Sequence, residues 1–159
     1  MKFTKVLAML IPLVLLCSCS GKTILEGTRW YTDDINNTVR TVATFEEKTG
    51  KLIVNYVLIN PGRAKRTGVD GLQYVFDEYY YRDFGENIPR ELNDGDDTNA
   101  FAIYHTEEDF KSGDNAFITY YHIEEEKFVI NGNICLPLEG ELARETDDII
   151  AKNKADMGE

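Results

Sequence analysis

The chain has 159 residues, of which 28 are acidic and 17 are Lys or Arg, and its net charge at pH 7 is −11. An acidic surface of this kind repels nucleic acid and anionic lipid and attracts basic proteins, so we expect no nucleic-acid ligand. The length is enough for one compact domain with a hydrophobic core.

The first 18 residues have the pattern of a secretory signal. Lys2 and Lys5 give a basic start, and the apolar run over residues 6–16 is about eleven residues long, well short of the roughly 20 that a transmembrane helix needs. Small residues follow the run, as they do at signal cleavage sites. Cleavage after Ser18 would remove the two positive charges of Lys2 and Lys5 and leave a chain of charge −13 that begins at Cys19.

The segment Leu16-Cys17-Ser18-Cys19 resembles the lipobox of bacterial lipoproteins. The resemblance implies that the Cys19 thiol receives a diacylglyceryl group, that the new amino terminus is acylated, and that residues 19–26 tether a domain to a membrane. Cys17 stands where Ala, Ser or Thr is commoner, and it would be lost with the signal. Ser20 follows Cys19 as in lipoproteins that are sent to the outer membrane, and this resemblance implies an outer-membrane location in the bacterial cell envelope.

An ordinary secretory signal without lipid is the alternative interpretation. A metal site at Cys17 and Cys19 has no His, Asp or Glu nearby to complete four ligands, and a disulfide between residues two apart would be strained. Once Cys19 is acylated, Cys135 remains as a single cysteine and no internal disulfide can form. Cys135 alternates with apolar neighbours, which favours a small core residue over a nucleophile.

Short runs rich in Val, Ile, Thr, Tyr and Phe, separated by Gly, Asn and Asp, predict an antiparallel all-β domain. Hairpin turns are expected around Gly50 and at Asn131-Gly132, with a third turn over residues 112–115. No segment predicts a major helix. Residues 147–159 are expected to form a polar tail that either adds one short helix or frays after about residue 150, and we favour fraying. The strands are expected at residues 28–33, 38–46, 51–59, 72–84, 99–105, 115–123, 127–131 and 133–145, with a break of the last strand near Pro137 and Gly140 as an alternative.

The strand over residues 72–84 breaks its own alternation of apolar and polar side chains. Leu72, Tyr74 and Phe76 would share one face, and the same phase would place Glu78 on that face too. Two explanations are open. A bulge near Asp77 could reset the phase and turn the later tyrosines inward, or Glu78 could point into a cavity.

About eight strands joined in sequence can close into an up-and-down barrel or form a two-sheet β-sandwich. Gly27-Thr28-Arg29-Trp30 in the first strand and Arg144 near the end of the last resemble the ends of a lipocalin (calycin) barrel, and the resemblance covers about residues 27–146. It implies that Trp30 fills one end of the barrel and that Arg144 lies over its ring, a contact worth about 0.5–2 kcal/mol. The alternative is that Trp30 is a core aromatic near an exposed arginine.

Catalytic and metal chemistry find little support in the sequence. His105 and His122 would lie on the order of 17–20 Å apart in a hairpin, too far to share a metal or relay a proton. The acidic run at residues 93–99 lacks the ligand spacing of an EF-hand. We therefore expect no enzyme, no metal site and no cofactor.

Two functions remain open from the sequence. The first is a module or scaffold that binds a small apolar ligand, since a barrel of about eight strands can hold one. The second is docking or inhibition of a basic protein such as a cell-wall-degrading enzyme, which the charge favours. Side chains that could line a cavity, or pack a solid core instead, are Tyr56, Tyr74, Phe76, Glu78, Tyr104 and Tyr120.

Overall fold

A computed structural model describes residues 24–67, 75–88 and 99–157 of the chain. The predicted signal and Cys19 lie outside these residues, as do Tyr74 and residues 93–98 of the acidic run. The described elements in chain order are the strands and helices β1 Arg29–Asp33, β2 Val39–Phe45, β3 Lys51–Leu58, α1 Pro61–Thr67, β4 Val75–Gly85, β5 Asn99–Tyr104, α2 Glu107–Ser112, β6 Phe117–Glu124, β7 Lys127–Ile130, β8 Asn133–Pro137 and α3 Gly140–Met157.

The eight strands form a closed barrel in which each strand pairs with the next and β8 pairs with β1. Every pairing is antiparallel, and the closing contact places Trp30 opposite Pro137 and Tyr31 opposite Leu136. The prediction of an eight-stranded up-and-down barrel is confirmed, and the alternative β-sandwich is excluded.

Two of the predicted hairpins follow from residues with positive φ. Asn131 and Gly132 have φ of 49° and 75°, the signs that a tight two-residue turn requires, and they join β7 to β8. Gly50, with φ of 64°, lies just before β3. The third predicted turn is different, because Gly113 ends helix α2 in the left-handed region and donates its backbone N–H to the Asp109 carbonyl.

The C-terminal part of the chain corrects the sequence prediction. The last strand ends at Pro137, at the break that the sequence left open, and not near residue 145. Helix α3 runs from Gly140 to Met157, where a frayed tail was favoured over one short helix. The boundary placed between residues 146 and 147 therefore falls inside a helix. The side chains that α3 buries or half-buries recur every three or four residues, as a helix packed on one side requires, and they include Leu142, Thr146, Ile149 and Asn153.

Helix α3 packs on the outer surface of the barrel, mainly against β3. Its contacts explain why outward-facing residues of β2 and β3 are buried, among them Arg40, Val42 and Val57. The Arg40 guanidinium donates to both carboxylate oxygens of Asp33 at 2.7 and 2.8 Å and to the Thr146 hydroxyl at 2.9 Å. The helix is thus part of the folded domain.

Strand β4 keeps one phase throughout its pairing with β3. Residues 75–80 pair with residues 56–51 without interruption, so no bulge occurs near Asp77. The register shift lies lower in the strand, between Asp83 and Gly85. Both explanations offered from the sequence are therefore wrong: Tyr79 and Tyr81 face inward without a bulge, and Glu78 faces outward with Phe76.

Candidate functional site

The inward-facing side chains stack in layers along the barrel axis. Because the strands of a barrel are tilted, residues at one height are offset along successive strands. One layer is aromatic and almost fully buried. Phe45 makes edge contacts with Tyr81 and Phe101 at ring-centroid distances of 4.9 and 5.6 Å, and Trp30 packs on Phe128 at 5.4 Å. This aromatic layer consists of Trp30, Phe45, Leu52, Tyr81, Phe101, Tyr121 and Phe128.

The chain before β1 closes the barrel beneath the aromatic layer. Leu25 is 0% exposed and packs in the core cluster. Its backbone N–H donates to Oδ2 of Asp83 at 3.0 Å, and the Gly27 N–H donates to the Phe45 carbonyl at 2.8 Å. Oδ1 of Asp83 accepts hydrogen bonds from the Tyr121 hydroxyl at 2.8 Å and the Gly85 N–H at 2.9 Å. We call this the closed end of the barrel.

A middle layer lies on the other side of the aromatic layer. Its apolar side chains are only partly buried although they point into a closed barrel, so part of their surface faces the lumen. Thr119 belongs to the same layer by register, since it pairs with Phe101 on the same face. The middle layer consists of Ala43, Val54, Tyr79, Ile103, Thr119 and Ile130.

An upper layer follows at the open end, where exposure is greatest. Tyr56 is 40% exposed and Phe117 is 62% exposed, although both occupy inward-facing positions of their strands. Asp77 shares this layer, and His105 follows β5 there with its ring 5.3 Å from the ring of Tyr79. The upper layer consists of Thr41, Tyr56, Asp77, His105 and Phe117.

Electrostatic coupling links the hydroxyl groups of the middle and upper layers to Asp77. Burial raises the pKa of Tyr79, and the nearby Asp77 carboxylate and Tyr56 hydroxyl raise it further. Tyr79 therefore stays protonated at neutral pH and can donate a hydrogen bond. These three polar groups form one side of an otherwise mainly apolar lumen.

The structure places the side chains that the sequence predicted to line a cavity on different faces of the barrel. Tyr56 faces the lumen, as predicted. Glu78 faces outward and forms an ion pair with Lys51 at 2.6 Å, and Phe76 faces outward beneath Lys154 of α3, whose Nζ lies 4.5 Å from the ring centre. Tyr104 and Tyr120 also lie on outward positions.

Tyr104 is buried for a reason unrelated to the lumen. Its ring packs on Phe110 of α2 outside the barrel, with centroids 5.6 Å apart, and the Arg82 guanidinium lies 5.7 Å from its ring centre. Sequence reasoning missed the lumen residues Asp77, Phe117 and Ile103. The two-residue period of a strand places Asp77 on the same face as Tyr79 and Tyr81, and this was the signal that could have identified it.

The predicted contact between Trp30 and Arg144 is also corrected. Trp30 does fill the aromatic layer near the closed end, where its indole N–H donates to the Thr28 hydroxyl at 2.8 Å. Arg144, however, lies on helix α3, its side chain is 78% exposed, and it pairs with Glu141 at 3.8 Å. Phe128 packs on the indole instead.

A second concavity, a cleft of about 490 Å³, lies at the closed end, outside the lumen. Trp30 and Leu138 contribute apolar walls, and Ile123 and Glu126 border it from the β6–β7 hairpin. Residues 27–29, which continue the chain from Leu25, form another wall. The cleft is therefore next to the point where the chain enters the barrel.

The remaining chemistry-bearing side chains do not assemble into a reactive centre in the described part of the chain. His122 lies 3.9 Å from Glu124 on an exposed stretch of β6. Cys135 is half-buried against the core, and burial raises the pKa of its thiol, which disfavours the reactive thiolate. Within residues 24–67, 75–88 and 99–157, no three His, Cys, Asp or Glu side chains converge as metal ligands would.

Comparison with known proteins gave no match to a family model, a curated protein or a solved structure. Among the helices of the described segments, none has the length and apolar character needed to cross a bilayer.

Proposed function

We propose that this chain is a lipid-anchored lipoprotein of the bacterial cell envelope, placed at the outer membrane, whose lipocalin-like barrel binds a small apolar ligand through its open end. One observation carries the ligand-binding part. From the aromatic layer toward the open end, the exposure of inward-facing apolar side chains rises, from 1% at Phe101 to 62% at Phe117 in the upper layer. A barrel packed solid would keep these side chains buried at both levels.

The architecture supports the same function. The closed end is filled by rings and by Leu25, so the middle and upper layers form a lumen with an apolar base. Such a concave, mostly apolar surface with a few polar groups is typical of small-molecule sites. The polar groups here are Asp77, Tyr56 and Tyr79, with Thr119 deeper in the lumen.

Binding is tested with N-phenyl-1-naphthylamine, a neutral probe whose fluorescence rises in apolar surroundings. The protein comprises residues 20–159, which retain every described contact. We expect saturable binding that Phe117→Ser weakens severalfold, because the substitution removes apolar surface at the open end. The matched control is Ile134→Ser, since Ile134 is similarly exposed at 56% but faces outward on β8. Absence of saturable binding by the unsubstituted protein would remove the proposal.

The anchor is tested separately by metabolic labelling with palmitate. Cys19→Ser is expected to abolish incorporation of label, because the diacylglyceryl group has no thiol with which to form its thioether bond. Cys17→Ser is the control and is expected to keep the label, since Ser is a common residue at that position of a lipobox. Label that persists in Cys19→Ser would contradict lipidation at this residue.

A second candidate function is favoured by the charge at the closed end. The β6–β7 turn exposes Glu124, Glu125 and Glu126, and Glu47 is exposed in the β2–β3 turn. Exposed acids of this density suit a basic protein partner, whose association would weaken steeply with salt. Hen lysozyme is a suitable probe. Inhibition of lysozyme at low salt that is lost in Glu125→Gln/Glu126→Gln would support this function. Absence of inhibition by the unsubstituted protein at both low and high salt would contradict it.

A further inference from the structure

The charged side chains of the eight strands are divided between the two faces of the barrel. Every Lys and Arg of the described strands occupies an outward position, and the ionisable acids at inward positions are Asp77 and Asp83. Asp83 is engaged at the closed end by Tyr121, Leu25 and Gly85. The outward cations are Arg29, Arg40, Lys51, Arg82 and Lys127.

These outward cations also have partners that hold them away from the lumen. Arg29 binds Asp147, Arg40 binds Asp33 and Lys51 binds Glu78. Arg82 donates to the Phe110 carbonyl at 2.9 Å, and Lys127 lies 3.3 Å from Glu125. None of the five strand cations can neutralise an anion inside the barrel without breaking its own contact.

Asp77 therefore differs from the other acids of the strands. It faces the lumen beside Tyr56 and Tyr79 and has no ion-pair partner among the described residues. A basic segment follows β3 in helix α1, where Lys65 and Arg66 are exposed. Exposed side chains there are solvated and contribute little to binding inside a lumen.

Thr119 is a second polar residue of the lumen, and its hydroxyl lacks a hydrogen-bond partner within the described segments. The residue is 3% exposed and faces the lumen. A buried hydroxyl without a partner costs about 1–3 kcal/mol, so a ligand that supplied one would gain from it. Within the described segments, the lumen thus offers a carboxylate without an ion-pair partner near its opening and a hydroxyl without a hydrogen-bond partner deeper inside.

We infer that the lumen selects amphiphiles that carry a protonated amine and rejects those that carry a carboxylate. The ammonium group would pair with Asp77, and its other N–H groups would donate to the hydroxyl oxygens of Tyr56 and Tyr79. The apolar chain would lie against Ile103, Val54 and Ile130. A carboxylate head in the same position would face Asp77 without a strand cation to compensate. This inference rests on the proposed ligand-binding function and specifies its ligand class.

The test is displacement of bound N-phenyl-1-naphthylamine by three ligands of equal chain length: dodecylamine, dodecanol and dodecanoate. The two ionic ligands are used below their micelle concentrations and dodecanol below its solubility limit. We expect the amine to displace the probe at about tenfold lower concentration than the carboxylate, which corresponds to ~1.4 kcal/mol. Asp77→Asn should remove most of that difference. Glu78→Gln is the matched control, because the neighbouring acid faces outward and pairs with Lys51, and it should leave the difference intact.

The outcomes separate the inference from the function on which it rests. Probe binding combined with equal or tighter displacement by dodecanoate would overturn the amine preference and leave the apolar site standing. A preference that survives in Asp77→Asn but disappears in Glu78→Gln would also overturn it, because the selectivity would then arise on the outer surface. If the neutral probe does not bind at all, the proposed function fails and the inference fails with it.

Discussion

The Tyr121 hydroxyl donates a hydrogen bond of 2.8 Å to Oδ1 of Asp83, which connects β6 to β4 beneath the aromatic layer. The other oxygen of the same carboxylate binds the backbone of Leu25. The Asp83 side chain thus connects β4 to β6 and to the segment before β1. The stability of the closed end should depend on it.

Tyr121→Phe is expected to lower the free energy of unfolding by about 1.5–3 kcal/mol, because it removes a hydrogen bond to a charged group in the interior. Urea denaturation followed by Trp30 fluorescence measures the change. The control is Tyr80→Phe, which retains the stacked contact with Phe110 at 5.5 Å and is expected to change stability by less than about 0.5 kcal/mol. Equal effects of the two substitutions would contradict a structural role for the Tyr121–Asp83 bond.

Alkaline pH should destabilise the barrel through its buried tyrosines. Burial raises the pKa of both Tyr81 and Tyr121 well above the ordinary value of 10.0. The unfolded chain therefore ionises first, and stability that is fully present below pH 10 is lost as the pH rises further, by up to about 1.4 kcal/mol per pH unit for each tyrosine. Urea midpoints measured between pH 8 and 11 test this. Tyr121→Phe should make the decline shallower, and an unchanged slope would count against it.

Thr146→Val should loosen helix α3 from the barrel. The hydroxyl of Thr146 accepts from Nη1 of the buried Arg40, and valine of similar shape leaves that donor without an acceptor, at a cost of about 1–3 kcal/mol. Arg144→Ala is the contrasting variant, expected to cost less than about 0.5 kcal/mol because the side chain is exposed. A larger loss in Arg144→Ala than in Thr146→Val would restore the barrel-closing role that the sequence suggested.

Gly50→Ala should be more harmful than Gly132→Ala, although both glycines have positive φ. A Cβ on Gly50 would lie 3.0 Å from Cζ of Phe110, whereas a Cβ on Gly132 would meet nothing within 4 Å. Both variants bear a backbone penalty of about 1–2 kcal/mol, and crowding adds roughly 1–3 kcal/mol at Gly50. Thermal denaturation of both proteins measures the difference. Phe110→Leu should recover part of the Gly50→Ala loss, and no recovery would place the strain elsewhere.

The strand number and two hairpins could be predicted because they depend on local signals. Asn131-Gly132 adopts its turn through its own backbone preferences, and the strands are rich in β-branched and aromatic residues. Helix α3 could not be recognised in the same way. Its buried face includes Thr146 and Asn153, whose polarity hides the helical period, and Thr146 is buried because it pairs with Arg40 far away in sequence.

The candidate site was only partly predictable for a similar reason. Alternation identifies the two faces of a strand but not which face is covered from outside. Phe76 and Tyr104 are apolar because α3 and α2 cover the outer surface of the barrel, so their aromatic character wrongly suggested a cavity. Which inward residues lie at the open end depends on strand tilt and stagger, which appear only when the eight strands are assembled.

The plugging of the barrel by Leu25 and the rings above it limits what the domain can do with a guest molecule. A barrel with one open end can hold a ligand but cannot pass it through. A ligand bound in the lumen would have to dissociate through the open end by which it entered. Its release would therefore depend on a change at that end, such as contact with an acceptor or a change in the surrounding medium. Under the proposed function, the domain would therefore bind and release its ligand at the same end, because Leu25 and the aromatic layer fill the other.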